Sequence, residues 1–292
     1  MRIDRLELEG FRNYAREAVG FDPRCNVICG ENAQGKTNLL EAVVYLSRGR
    51  SPRARTDREM IGFQEDSARL LARVGSRERE FRVQADLYRG RRRKITVNQV
   101  PIKTNAALGD VYHTVLFQPE DLYLIREGAA ARRRFLDTAL CQLRPRYAAA
   151  LAGYERAREQ KTRILRDFGE RPDLLSALPE FNEQMIRFGA VMIQYRHSFC
   201  LRLAEAAALH HRECSGGRER LELQYQTVSS IEDPGADISA LADSLRRHME
   251  SRREAELASR LCLSGPHKED LLVAIDRREA KTYSSQGQTR TA

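Results

Sequence analysis

Within Gly30-Glu31-Asn32-Ala33-Gln34-Gly35-Lys36-Thr37, two glycines, a lysine and a threonine fall at the spacing G-x-x-x-x-G-K-T. These residue types at this spacing suit one task, holding a triphosphate. Successive backbone N–H groups of such a loop converge on an anion, and the positive end of the following helix adds to their field. Gly30 and Gly35 permit backbone shapes that a Cβ obstructs. Lys36 is expected to reach the β- and γ-phosphates and the Thr37 hydroxyl to ligate Mg²⁺. With Glu31, Asn32, Ala33, Gln34 and the following Asn38, these residues make up the expected nucleotide site.

Such a loop needs a strand before it and a helix behind it. Val27-Ile28-Cys29 is a short apolar run, read as the strand. Lys36 to Arg48 reads as the helix: Leu39, Leu40, Val43, Val44 and Leu46 give it a wide apolar face, and Gly49 is its stop. Leu6 and Leu8 alternate with charged neighbours, a strand pattern. Three further runs, ARLLARV (68–74), EFRVQADLY (80–88) and KITVNQVPI (94–102), predict an antiparallel sheet, with Asn98-Gln99 as a hairpin turn. From about residue 132 to 211 the chain reads as helical, with breaks expected at Pro145, Pro172 and Pro179. LELQYQTV (221–228) reads as a strand, 237–260 as an amphipathic helix, and LCLSGPHKEDLLVAID (261–276) returns to strand character. The order predicts an α/β protein in which both ends of the chain complete one lobe and a helical lobe is inserted. The expected boundaries are 1–131, 132–260 and 261–292.

Lys and Arg total 50 against 41 acidic residues, a net charge of +9. That balance favours an anionic partner such as nucleic acid, with an arginine-rich solvated surface as the alternative. Arg89, Arg91, Arg92, Arg93 and Lys94 crowd one predicted hairpin loop. Arg91, Arg92 and Arg93 are the candidates for DNA backbone contact, which is salt-sensitive and indifferent to sequence. Arg132, Arg133 and Arg134 form a second cluster, read either as a DNA contact or as structural pairing with Glu127 or Asp137. No zinc finger, helix-turn-helix or RNA-recognition signature is visible. The six cysteines contain no C-x-x-C pair, so neither a zinc site nor a redox motif is suggested, and reduced, mostly buried thiols are expected. With no long uncharged apolar run and no signal-peptide core at the N-terminus, a cytoplasmic protein without a membrane span is expected.

Several motifs, in order along the chain, carry a family resemblance. FRNY (Phe11–Tyr14), the loop and helix through SPR at residue 53, VLFQPEDLYLIREGAAARRRFLDTAL (115–140), FGAVMIQYRHSF (188–199), LSGPHKEDL (263–271) and SSQGQTRT (284–291) together resemble the RecF family. The resemblance implies an ABC-type ATPase head of the SMC class, with a P-loop lobe, an antiparallel β subdomain and an inserted helical lobe. Two such heads would sandwich two ATP molecules as an ATP-dependent homodimer. Each nucleotide would lie between the P-loop of one head and the signature motif of the other. Here Ser285, Gly287 and Gln288 stand at signature positions. Gln118 is a candidate for the glutamine that touches Mg²⁺ and the attacking water, or is a plain loop residue. The partners implied are double-stranded and gapped DNA, RecR and RecO, and the activity a weak DNA-stimulated ATPase.

Two departures stand out. Lys268-Glu269 occupies a place where the family favours Arg-Asp. No apolar strand ending in acidic residues follows Ser285. The expectation is a shortened chain that hydrolyses ATP poorly and leaves a sheet edge and apolar surface exposed. A nucleotide-dependent kinase or transporter ATPase, and a non-hydrolysing DNA-binding fragment, remain the rival readings.

Overall fold

Alternation of apolar and polar residues builds the first sheet. β1 (Arg2–Phe11) pairs antiparallel with β2 (Tyr14–Gly20) and with β3 (Ser67–Gly75). β4 (Glu80–Tyr88), β5 (Lys94–Val97) and β6 (Val100–Pro101) follow, giving the order β2-β1-β3-β4-β5-β6. The computed structural model describes all residues except 76–78, 229–230, 286 and 289–292. Part of the turn after β3 and Gln286 of the expected signature therefore lie outside the described residues.

Leu6, Leu8, Leu70, Ala72, Val74, Val83, Ala85 and Leu87 are buried in one cluster with Leu39, Tyr45 and Leu46 of α1 (Lys36–Arg48). The pleat sends alternate residues to one face, which is why a period of two in the sequence becomes a single apolar layer. Asn98 and Gln99 both take positive φ, 49° and 69°, and Val97 pairs with Val100, so a primed two-residue turn closes that hairpin. α1 ends as expected: Gly49 adopts φ 63° and its N–H donates to the Tyr45 carbonyl.

Residues 1–116 form one compact unit and 117–292 a second. The second contains α2 (Ala129–Leu143), α3 (Pro145–Asp167), α4 (Leu178–Cys214) and α5 (Ile238–Ser259), with β7 (Leu221–Gln226), β8 (Asp270–Ile275), β9 (Arg278–Glu279) and α6 (Ala280–Tyr283). Pro145 opens α3, as expected. Pro179 likewise marks a helix start: it lies in the first turn of α4, where a missing N–H costs nothing. Gly153 lets α3 and α4 approach closely, since a Cβ there would meet the Phe188 ring at 2.5 Å.

The sequence places residues 261–292 as a return strand that helps complete the first lobe; among the described residues this segment forms a second sheet. β8 pairs antiparallel with β7, from Leu221↔Ile275 to Gln226↔Asp270, and β9 adds to its other edge. This register buries Tyr225 and Leu271 in the helical core and Leu221 and Ile275 in a small cluster with Ile125. Segment 117–131 likewise belongs with the helices, and Arg132 is the reason. Its guanidinium makes two bonds of 2.8 and 2.7 Å to the Asp270 carboxylate and donates to the carbonyls of Ile125 and Glu127 at 3.0 and 2.8 Å. Arg133 donates to the Glu269 carbonyl at 2.6 Å. Pairing is thus the role of Arg132, but with Asp270 rather than with either acid expected from the sequence.

Arg196 of α4 is buried at the centre of this unit. It donates to Asp137 at 2.7 Å, Glu269 at 3.2 Å, the Pro266 carbonyl at 2.8 Å and the Tyr147 hydroxyl at 2.9 Å. Tyr225 donates to the same Glu269 carboxylate. Burial pushes the Glu269 carboxyl up to about 7, against the opposing pull of Arg196 and Tyr225. Nearby, the Tyr154 hydroxyl donates to His267 Nδ1 at 2.6 Å and His267 Nε2 donates to the Cys262 carbonyl at 3.2 Å. Cys200 and Cys262 are buried, but Cys25, Cys29 and Cys214 are exposed, so the thiols are free and less buried than expected. No described helix is long and apolar enough to cross a membrane.

Burial depresses the His267 imidazole from 6.5 to about 4. Between those values the unfolded chain binds a proton that the folded chain refuses, so stability is full above pH 6.5 and falls as pH drops towards 4. The expected loss over that window is roughly 3 kcal/mol. Urea titrations of the wild-type and H267Q chains at pH 7 and pH 4.5 read this directly. The stability advantage of the wild type should shrink at the lower pH, and an unchanged advantage would show that His267 is not held neutral.

Candidate functional site

The phosphate loop meets a helix whose N-terminus has been left open. Gly35 is the N-cap of α1, no side chain caps the helix, and its first turn has no acidic residue. The N–H groups of Asn38 and Leu39 return to the Gly35 carbonyl at 2.8 and 3.1 Å, so the donors that precede them face the loop mouth. Residues 30–34 are all exposed. Gly30, Ala33 and Gly35 take φ of 144°, 65° and 99°, and these left-handed steps curl the backbone round a small volume.

The curl is held from outside by the β1–β2 turn. Asn13 Nδ2 donates to the Gln34 carbonyl at 3.2 Å, and the Tyr14 hydroxyl donates to the Gly35 carbonyl at 3.1 Å. Asn38 Nδ2 donates to Asn13 Oδ1 at 2.9 Å. This clamp explains Gly35 sterically: a Cβ there would lie 2.7 Å from Asn13 Oδ1 and 3.0 Å from the Tyr14 ring. Arg12 of the same turn donates to Glu41 at 3.0 and 2.8 Å and to the Glu59 carbonyl at 2.6 Å.

Glu41 of α1 receives Arg12, Arg53 at 2.8 Å and the Ser51 hydroxyl on a side chain only 1% exposed. Burial alone would raise its pKa. The bonds from Arg12, Ser51 and Arg53 overrule that and hold the carboxyl below its ordinary range. Arg53 also donates to Asn38 Oδ1 at 2.6 Å. Neither Glu41 nor Arg53 was singled out from the sequence as part of the site. A lone acid inside the apolar face of the helix, within LLEAVV, was the available signal.

Lys36 Nζ donates to the Gly30 and Glu31 carbonyls, both at 2.7 Å. The ammonium therefore already lies within the curl, where phosphate oxygens would replace those carbonyls as acceptors. Thr37 is exposed in the first turn of α1. Backbone N–H groups, one ammonium, an adjacent hydroxyl and a first helical turn free of acids fit a triphosphate with its divalent ion. The strand expected before the loop is absent: residues 25–30 form no ladder, and Val27 is 83% exposed. A strand exists through its neighbours' N–H and C=O groups, and no described strand lies beside this run.

The remaining candidates fall elsewhere. Gln118 belongs to the second unit; its N–H donates to Asp121 Oδ2 at 2.7 Å and its carbonyl accepts the Asp121 N–H at 3.0 Å, capping a short turn at 119–123. Ser285 and Gln288 cap each other: the Gln288 N–H donates to Ser285 Oγ at 3.1 Å and the Ser285 N–H to Gln288 Oε1 at 2.9 Å. Gly287 between them is exposed. Among the hairpin arginines, Arg93 is committed internally, with Asp57 at 3.1 Å, Tyr45 Oη at 2.9 Å and Asn105 Oδ1 at 2.9 Å. Arg91 and Arg92 are exposed, and the Arg91 guanidinium lies 3.7 Å over the Tyr88 ring. These two line a cleft of about 520 Å³ with Thr56, Arg58 and Tyr88.

Residues 5–142 match the family model described as an AAA domain. The DNA replication and repair protein RecF of Agathobacter rectalis is 36% identical over 294 residues, taking in 100% of this chain and 78% of its own length. The protein of that name from Bacillus subtilis is 34% identical over 292 residues, with the same coverage. A solved structure described as the recombination mediator protein RecF-ATP in the RecFOR pathway aligns with a TM-score of 0.91 at 28% identity, over 99% of this chain and 77% of its own. An Smc head domain from Pyrococcus furiosus shares the fold at 15% identity, with a TM-score of 0.50 over 99% of this chain.

The clamp predicts that nucleotide affinity is sensitive to residues that never touch phosphate. Asn13→Ala removes two of its bonds and should weaken binding of a fluorescent ATP analogue by about five- to tenfold, the equivalent of one hydrogen bond. Gly35→Ala should weaken it further, since the added methyl strikes the clamp. Unchanged affinity in both variants would show that the loop needs no outside support.

Proposed function

Since the chain belongs to the RecF family of DNA replication and repair proteins, we propose that it is an ATP-driven switch that closes two heads on duplex DNA beside a single-stranded gap. The observation that carries this reading is the open, clamped N-terminus of α1, with Lys36 already inside the loop. The backbone donors of residues 30–37 bind the triphosphate tail, and Lys36 exchanges the carbonyls of Gly30 and Glu31 for phosphate oxygens. The Thr37 hydroxyl would ligate a Mg²⁺ ion, which when bound neutralises phosphate charge. Ser285 and Gly287 donate to the γ-phosphate held by the opposite head, and Gln288 braces them. ATP is then the glue between heads and hydrolysis their release. Relatives' coverage of 78% leaves about a fifth of the family length outside this chain.

For DNA, the exposed Arg91 and Arg92 supply backbone contacts, and Arg93 fixes the hairpin that presents them. Such contacts recognise the shape of a duplex rather than its sequence. In this reading the protein works in the cytoplasm with RecR and RecO to load the recombinase onto single strands.

Two measurements test the proposal. Lys36→Ala should lower ATP affinity on the order of a hundredfold, because it removes the charged donor from an anion site; normal affinity would end the account. R91A/R92A should weaken duplex binding equally for all sequences and lower the salt slope by about two. R93A should instead lower thermal stability, because it breaks the Asp57 and Asn105 contacts. If R91A/R92A leaves the slope unchanged, the DNA surface is elsewhere.

A further inference from the structure

The signature segment hangs from a carboxylate that no motif contains. Gln288 Nε2 donates to Glu219 Oε1 at 3.0 Å. The other oxygen of Glu219 lies 3.2 Å from His211 Nε2. His211 is the buried end of this chain, its side chain only 1% exposed near the C-terminus of α4, whereas Glu219 is 23% exposed just ahead of β7. The backbone between them is drawn tight: the Ser215 N–H donates to the His211 carbonyl at 2.8 Å and Arg218 Nε to the Ser215 carbonyl at 3.0 Å.

The chemistry of the donors gives this chain a direction. A carboxamide can present either end to a neighbour, and the neighbour decides which. Glu219 as a carboxylate only accepts, so Gln288 must turn its NH₂ towards it. Oε1 then faces the other way and receives the Ser285 N–H at 2.9 Å. The orientation of the Gln288 amide thereby fixes the backbone at Ser285, and the Gln288 N–H on Ser285 Oγ fixes that hydroxyl in turn. His211 holds the Glu219 carboxylate from the buried side.

We propose that Glu219, held by His211, is the positioning residue of the signature motif: it orients Gln288 and through it sets Ser285 and Gly287 for the γ-phosphate of a nucleotide bound to a second copy of the chain. This rests on the signature reading given above. Glu219 is not a catalytic residue, because it touches neither nucleotide nor phosphate. Its effect is confined to the role that a chain plays for its partner and leaves the chain's own phosphate loop alone.

That asymmetry makes the test. ATP-dependent self-association is followed by analytical ultracentrifugation for the wild type, E219A, E219Q, S285A and K36A, with ATP affinity measured in parallel. E219A should bind ATP as the wild type does yet associate at least tenfold more weakly. E219Q, which can still offer an oxygen to Gln288, should recover most of the loss. E219A mixed with K36A should associate better than either alone, because the intact signature of K36A can meet the intact loop of E219A. Wild-type association by E219A, or failure of the mixture, overturns the proposal while S285A still abolishes association. If S285A associates normally, the signature reading itself has failed.

Discussion

A helix end must be left without a cap, and yet the loop leading into it must hold its shape: the first unit is organised round that constraint. Most helices satisfy their first N–H groups with a side chain of their own. α1 does not: Gly35 stands at its N-cap and no side chain caps it. The conformational work is moved to a neighbouring element, where Asn13 and Tyr14 hold the carbonyls of Gln34 and Gly35. Carbonyls pulled outward leave the N–H groups of the same peptides turned inward. The β1–β2 hairpin therefore sets the polarity of the loop as well as supporting it.

The second unit solves a different problem with a similar economy. Its helices bury an arginine, and a buried guanidinium is tolerated only when its donors find acceptors. Arg196 finds Asp137, Glu269, Tyr147 and the Pro266 carbonyl, which lie on α2, on the approach to β8 and on α3. One side chain thus fixes where the GPHKED segment crosses the helices. The acid at position 269 serves this network from complete burial, and its neighbour Asp270 serves Arg132. Two adjacent carboxylates, pointing to opposite sides, tie the returning strand to two different helices.

Local signals were readable in the sequence, and distant pairings were not. The bounds of α1, the Asn98-Gln99 turn and strands β3 to β6 follow from periodicity and turn chemistry that span a few residues. The strand at Val27–Cys29 was read from the same kind of local signal and does not form, since a strand depends on what lies beside it. The pairing of β8 with β7 joins residues some fifty positions apart, and nothing in either segment names the other. The same limit applies to the site. The loop announced itself through its glycines and lysine, whereas Glu41, Arg53 and Glu219 carry no motif and matter only through residues brought to them by folding. Runs of arginine suggest an outward charge, but Asp57 pairs with Arg93, and Arg132, for which pairing was one of two readings, pairs with Asp270.

Glu41 gives the loop a mechanical linkage to its surroundings. Arg12, from the turn before the loop, binds both of its oxygens, and Arg53, from the chain after α1, shares Oε2 with it. A carboxylate so committed has no slack. If a ligand draws α1 forward or rolls it about its axis, both arginines must travel with it, because stranding a buried carboxylate costs several kcal/mol. The helix behaves as a crank with two connecting rods. Arg53, still 38% exposed at its side chain, is the rod whose far end reaches the surface, so the filling of the loop would be legible there to another molecule.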